Sequence, residues 1–214
     1  MSSINHHLTD ALLMSYASGT LDEGFSIVVA THISLCDECR ARTESFEAVG
    51  GSLVEEVEAV EIGEDSLEAT MALIEAAPQF DVSPKCSGKV IPQPLYDYVG
   101  GDLERVNWKP IGGGVRQSVL DVDGGAQVRL LSIPGGAAMP NHGHNGLELT
   151  LVLQGAFKDD DDRFGRGDIE VADEDMHHTP VAEVGQDCIC LAATDAPLRF
   201  KGLIPRIAQR FVGI

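Results

Sequence analysis

The chain has 214 residues, with 15 Lys and Arg against 34 Asp and Glu (net charge -19), 43% apolar and 23% charged residues; this is a globular composition for one ordinary domain or two small ones, and it excludes extensive disorder. So acidic a chain repels phosphate backbones, which excludes nucleic acid as a partner and favours a basic protein. No apolar run reaches the roughly 18 residues of a membrane helix, and the N-terminus lacks a basic stretch followed by an apolar one, so a cytoplasmic protein with no membrane partner is expected.

The first 77 residues read as helical. Thr9 can cap a helix with Leu12, Leu13 and Tyr16 on its apolar face and Gly19 just past its end. A second helix is expected over about 22–31, carrying Phe25, Ile27, Val28 and Ala30. A third begins near Cys36, continues through Phe46 and Val49 and breaks at Gly50-Gly51. A fourth covers 66–77, with Ser66 as cap and Leu67, Met71, Leu73 and Ile74 apolar. Between Pro78 and Pro94, four prolines and weak periodicity predict an extended linker.

After Pro94 the texture changes to short β-like runs separated by turn residues: VRQSVLDV, AQVRLLSI, LELTLVLQGAF and DCICLAAT. Such spacing points to a β-sandwich or a small barrel. The charge is uneven across the two halves. Residues 1–94 hold 16 acidic and 4 basic residues (net -12), residues 95–214 hold 18 and 11 (net -7), and no Lys or Arg occurs between Thr43 and Pro84. Such a run is either a solvated face or a surface that meets a basic partner.

The five cysteines, at 36, 39, 86, 188 and 190, are odd in number, which argues against a disulfide framework and for metal or redox chemistry at the close pairs. His32, Cys36 and Cys39 form H-x3-C-x2-C, and spacings of three and four converge on one helical face. Two thiolates and an imidazole suit tetrahedral zinc, and the His6-His7 pair can supply a fourth ligand. Two buried cysteines with a chance histidine are the structural alternative. A redox CxxC is expected after a strand of a βαβ unit, and no such unit is visible.

A second constellation runs from Gly136 to Gly155 as G-x5-H-x-H-x3-E-x6-G. His142 and His144 alternate along a strand and so share a face, and Glu148 enters the next strand. His177 or His178 can complete three imidazoles and one carboxylate, a set that holds Zn, Mn, Fe or Ni. The structural alternative is surface histidines in a turn.

The segment from Gly136 to Gly155 resembles the first motif of the cupin family at every fixed position. The second cupin motif is matched less closely: Phe164-Gly165-Arg166-Gly167-Asp168 is followed by His178 ten residues on, and the usual proline is replaced. The 7–39 segment resembles the zinc-binding anti-sigma domain. The two together, over nearly the whole chain, resemble the ChrR type of anti-sigma factor, in stretches such as SLCDECRAR, GGGVRQ and HGHNGLELTLVLQGAF.

The resemblance implies an α+β protein of two domains: a small helical anti-sigma bundle at 1–85, a Pro-rich linker at 86–94 and an all-β cupin barrel at 95–214. It implies zinc on His7, His32, Cys36 and Cys39, and a second ion, two per chain, on His142, His144, Glu148 and His178, the last preferred over His177 because it precedes Thr179-Pro180. It implies that residues 1–85 bind and inhibit a group IV (ECF) sigma factor, which is freed on singlet oxygen or oxidative stress sensed through the cupin domain. A small ligand in the cupin pocket is a further conceivable partner.

Net charge suits a basic sigma factor, while specific affinity needs apolar faces. The candidates are Leu67, Met71 and Ile74 of the fourth helix and Leu12 and Leu13 of the first, with intradomain core as the alternative for each. A marginal core in so small a bundle makes a structural metal valuable. Release is expected either through the cupin, at its metal site or at Cys188 and Cys190, which alternate on one strand, or through oxidation of Cys36 and Cys39. The structural alternative for Cys188 and Cys190 is small buried hydrophobes, and Cys86 is expected to be idle. A second functional class is a metal-dependent, dioxygenase-like cupin enzyme with a helical extension; no further acid/base set is readable, and the Asp159–Asp162 run reads as a solvated turn.

Overall fold

The structure, a computed structural model, describes residues 3–78, 90–143, 145–160, 162–174, 177–197 and 199–200. Helix α1 (Asp10–Ala17) starts where Thr9 accepts a hydrogen bond from the Leu12 N–H. Helix α2 (Glu23–Ile33) is capped by Asp22, which accepts from Gly24 N–H at 2.9 Å and from Gly125 N–H at 2.8 Å. One carboxylate thus caps the helix and ties it to the loop before the third strand.

Helix α3 (Asp37–Glu55) passes through Gly50 and Gly51 instead of breaking there. Neither glycine has positive φ, and the strong helix formers Glu47, Ala48, Leu53 and Glu55 flank them. A glycine costs a helix only about 1 kcal/mol relative to alanine, so the expected break does not occur. Helix α4 (Ser66–Ala76) follows, with Asp65 rather than Ser66 in the cap position and no side-chain cap bond. Helix α5 (Gln93–Val99) occupies the end of the stretch expected to be extended. Pro92 is extended at its N-cap and Pro94 sits in the first turn, where a missing N–H breaks no helical bond. Cys86 lies outside the described residues.

The strands are β1 (Lys109–Gly112), β2 (Val115–Val119), β3 (Gln127–Ile133), β4 (His142–Gly143), β5 (Glu148–Gln154), β6 (Ala156–Lys158), β7 (Arg163–Gly165), β8 (Ile169–Ala172), β9 (His177–His178), β10 (Val181–Ala182), β11 (Cys188–Thr194) and β12 (Arg199–Phe200). They form a six-stranded antiparallel sheet in the order β1-β2-β3-β11-β5-β8 and two three-stranded sheets, β10-β6-β7 and β12-β4-β9. The expected barrel is therefore not a closed cylinder among the described residues. Strands β4, β9 and β12 have two residues each and pair only with one another, so no ladder links them to the large sheet.

Strands β3, β5 and β11 at the centre of the large sheet are buried on both faces, which explains their near-continuous apolar runs. Alternate residues Val128 and Leu130 of β3, Leu149, Leu151 and Leu153 of β5, and Ile189, Leu191 and Ala193 of β11 join a core with Leu13 of α1, Phe25, Val28 and Val29 of α2, and Leu95 of α5. The intervening residues Ile133, Val152, Cys188 and Cys190 face a second core with Phe157, Phe164 and Ala182 from the small β10-β6-β7 sheet. Gly24 lets α2 lie close on the sheet: a Cβ there would sit 2.8 Å from Val128 Cγ2. Helices α1 and α2 thus share their core with the sheet. Leu13 is fully buried and Leu12 packs against the same core, so these two expected partner contacts are internal.

Helix α4 buries no residue. Leu67, Met71, Leu73 and Ile74 are exposed, as are Val49, Leu53 and Val54 at the end of α3.

Candidate metal centres

The first centre forms where three segments meet. His7 lies in the segment that leads into α1, His32 in the last turn of α2, and Cys36 and Cys39 at the start of α3. Cys36 takes the N-cap position, and its sulfur accepts from the Cys39 N–H at 3.5 Å. The capping geometry places both sulfurs on one side of the first turn. One donor atom from each of His7, His32, Cys36 and Cys39 lies within 4.8 Å of the other three. The Nδ1 of His7 is 3.3 Å from Cys36 Sγ and 3.7 Å from Cys39 Sγ. Tetrahedral zinc with bonds of about 2.0–2.3 Å needs donor separations of roughly 3.3–3.8 Å.

His32 supports the same conclusion independently. It is fully buried; its Nδ1 donates to the Gly167 carbonyl at 3.0 Å, and its Nε2 has no hydrogen-bond partner among the described residues. One nitrogen held by a carbonyl and the other bare toward two thiols is the arrangement of a metal-bound imidazole. Burial pushes its pKa down to about 4, with a smaller contribution from His7, so the ring is neutral and able to coordinate. Burial pushes the Cys39 thiol up to about 11; a dication would reverse that preference, because it binds the thiolate. The four residues fit zinc.

His6 does not join this cluster. Its Nε2 pairs with Asp162 at 2.9 Å, and its ring packs on Phe164 with centroids 4.3 Å apart.

The second group lines a cavity of about 680 Å³, open mouth included, between the large sheet and the two small ones. His142 and His178 face each other across β4 and β9, with their Nε2 atoms 3.2 Å apart. Glu148, at the start of β5, lines the same cavity and accepts from Thr150 Oγ1 at 3.1 Å. His144 lies outside the described residues. His177 is exposed and points away, whereas His178 is buried.

Two carboxylates not singled out from the sequence join this group. Glu170 Oε1 and Asp159 Oδ2 lie 3.0 and 3.4 Å from His178 Nδ1, and both side chains are about 5% exposed or less. Glu170, Asp159 and His178 together can hold a metal ion. Burial raises the pKa of Glu170, opposed by His178. Burial also works against the His178 cation, but Glu170 and Asp159 outweigh it and move its pKa up. The Asp159–Asp162 run is therefore not uniformly solvated, since its first residue turns inward. Glu170 had a legible signal: a lone acid in the apolar run Ile169–Ala172, opposite in phase to Ile169. Nothing in a row of four aspartates marks Asp159.

Cys188 and Cys190 are buried thiols with sulfurs 3.6 Å apart, and Cys190 reaches the cavity wall. Their mutual contact and burial hold the Cys190 pKa well up, as expected of small protonated hydrophobes. Arg129, also on the wall, is buried and donates to Gln117 at 3.0 Å.

Residues 98–197 match the family described as the ChrR Cupin-like domain. Over 212 residues, 99% of this chain and 100% of the relative, the sequence is 58% identical to the anti-sigma-E factor ChrR of Cereibacter sphaeroides. Among solved structures, the chain matches one described as Rhodobacter sphaeroides SigE in complex with the anti-sigma ChrR, at 60% identity and a TM-score of 0.78, covering 90% of this chain and 100% of that one.

Proposed function

This chain belongs to the ChrR family of anti-sigma factors, and from that premise we propose that it sequesters an ECF sigma factor through residues 1–85 and releases it when the cupin half, residues 95–214, senses singlet oxygen or a related oxidative stress. The observation that carries the binding reading is helix α4. An isolated helix of 11 residues is marginal in water, and this one leaves Leu67, Met71, Leu73 and Ile74 exposed; Val49, Leu53 and Val54 of α3 are exposed as well. Exposed apolar side chains interleaved along the chain with Glu55, Glu56, Glu68 and Glu75, with no basic residue between Thr43 and Pro84, suit a partner with an apolar groove and a basic rim. The relative's solved complex with SigE supports the same class of partner.

The four donors at the front support zinc there as a structural ion, since all are protein side chains and three are buried. The second ion is proposed on His142, His144, Glu148 and His178. Glu170 and Asp159 are placed to orient His178 or to join the donor set. An ion in that cavity would draw these imidazoles and carboxylates into one charged centre beside open space, and these residues would hold it. Among the described residues no helix is long and apolar enough to cross a membrane, and a cytoplasmic location is part of the proposal. The alternative of a metal-dependent cupin enzyme is favoured by one feature alone, the apolar cavity beside the donors.

The test is co-purification of the full chain with an ECF sigma factor from its own source, together with metal analysis. One-to-one recovery with two metal ions per chain is expected. Failure to bind any such sigma factor, accompanied by oxygen consumption with a small substrate, would replace this reading with the enzymatic one.

A further inference from the structure

The two donor clusters sit on either side of one short turn. Gly165–Ile169 joins β7 to β8; Gly167 contacts the front cluster, and Glu170, the next residue of the chain, contacts the cavity cluster. Toward the front, the Gly167 carbonyl accepts from His32 Nδ1 at 3.0 Å. Asp168, only 3% exposed, accepts the backbone N–H of Asn5 at 2.6 Å and of His6 at 3.0 Å through Oδ1. Its Oδ2 accepts from Gly165 N–H at 2.8 Å, and Ile169 N–H donates to the His6 carbonyl at 3.4 Å. Thus one carboxylate and one strand end fix the residues immediately before His7, while the neighbouring carbonyl fixes the ring of His32.

Toward the back, the residue after Ile169 is Glu170, whose carboxylate lies 3.0 Å from His178. Gly167 and Glu170 are three residues apart, roughly 10 Å of extended chain. A parallel route runs through aromatic rings. Phe157 lines the cavity and stacks on Phe164 at 4.9 Å, and Phe164 packs on His6 at 4.3 Å. At the turn itself there is no slack. Gly167 has φ +90°, and a Cβ there would come 2.6 Å from Ile4 Cδ1.

We propose that the Gly165–Ile169 turn, clamped by Asp168, is the positioning element for the front metal cluster and couples it to the cavity cluster through Glu170. The proposal rests on the anti-sigma reading for its purpose, since it is the route by which a change in the cupin half reaches the helices that hold the sigma factor. Its physical content does not. A rearrangement that pulls Glu170 with His178 shifts the start of β8. That shift moves the Gly167 carbonyl and the Asp168 clamp, and with them the orientation of His32 and the path of His7. Such coupling is reciprocal in binding free energy. Asp168 acts through other residues and is a positioning residue.

The experiment uses the full chain without sigma factor, loaded with cadmium and observed by cadmium-113 NMR, in which a centre with two thiolates resonates far from one with only nitrogen and oxygen ligands. Glu170→Gln, isosteric and at a carboxylate that lines the cavity beside His178, is expected to move the front resonance and to speed loss of front-site metal to a chelator at least fivefold. Asp168→Asn is expected to weaken front-site metal about tenfold, the usual effect of removing an outer partner of a ligand. Phe164→Leu, which keeps the apolar volume, covers the case in which Asp168→Asn does not fold, and is expected to reduce the response of the front resonance to Glu170→Gln. A front resonance and chelation rate unchanged in Glu170→Gln overturns the coupling, and the same result in every folded turn variant overturns the positioning role. Sigma binding by the unmutated chain is measured separately, so loss of the anti-sigma reading is distinguishable from loss of this one.

Discussion

The front and back donor clusters are built from different materials. At the front, two thiols and two imidazoles converge over 33 residues of sequence, three of the four are buried, and the donors come from helix ends and a short entry segment. At the back, imidazoles and carboxylates converge from β4, β5, β8 and β9 on a cavity with open volume beside them. A closed set of protein donors is what holds a structural ion; donors around a space are what allow a centre to meet something from outside. The difference matches the proposal made above, in which the front cluster would maintain shape and the back cluster would meet the signal.

The largest effect expected from breaking that division is at the front. Cys36→Ser should abolish metal at this cluster, lowering metal content from two ions to one per chain. Structural zinc supplies on the order of 10 kcal/mol of apparent binding free energy in the smallest zinc domains; here the core shared with the sheet keeps α1 to α3 folded, and the variant should show a strongly lowered melting temperature and weakened sigma binding. Glu148→Gln, by contrast, should weaken only the back ion and leave the helices intact.

Next in size is the shared core. Leu13 of α1 and Leu151 of β5 are both fully buried in one cluster. Truncation of either to alanine should cost about 2–5 kcal/mol. Because the core is continuous, both variants should shift the same cooperative thermal transition. Two separate transitions, with Leu13→Ala moving only one, would instead mean that the helices and the sheet unfold independently.

The pH dependence sharpens the comparison further. The buried His32 has its pKa held down to about 4, against 6.5 for an exposed imidazole. The unfolded chain therefore takes up this proton first. Its contribution is fully present above pH 6.5 and is lost as pH falls through 6.5 towards 4, by about 3 kcal/mol in the metal-free chain. A denaturation series from pH 7 to pH 4 on the metal-free chain measures it, and His32→Gln should flatten the profile. The smallest effect expected is at Asp22: replacement by alanine removes the cap of α2 and its tie to Gly125, for about 1–2 kcal/mol, read as a lowered urea midpoint.

Local signals carried much of this structure. Thr9 and Asp22 cap helices because their short oxygens reach N–H groups two or three residues on, and the H-x3-C-x2-C spacing brings three donors together because α2 and α3 meet end to end. The apolar runs of β3, β5 and β11 were legible as strands for the same local reason. Tertiary effects were not. Which half supplies the other face of those runs depends on α2 lying over the sheet, which the spacing of Phe25, Val28 and Val29 does not reveal. Glycines 50 and 51 read as a stop, yet the surrounding helix formers outweigh them. Glu170 reaches His178 because β8 pairs back on β5, and Asp159 because it follows β6 in the small sheet, contacts with no signature in linear spacing.

The central claim is that an unburied apolar face on an acidic helix, held by a zinc-pinned fold, captures a sigma factor. Isothermal titration of the zinc-loaded full chain with that sigma factor tests it most directly, comparing the unmutated chain with the double variant Met71→Glu and Ile74→Glu. Neither residue is buried, so the melting temperature should not change, while affinity should fall at least a hundredfold. Equal affinity in the two chains, at equal stability, would contradict the account.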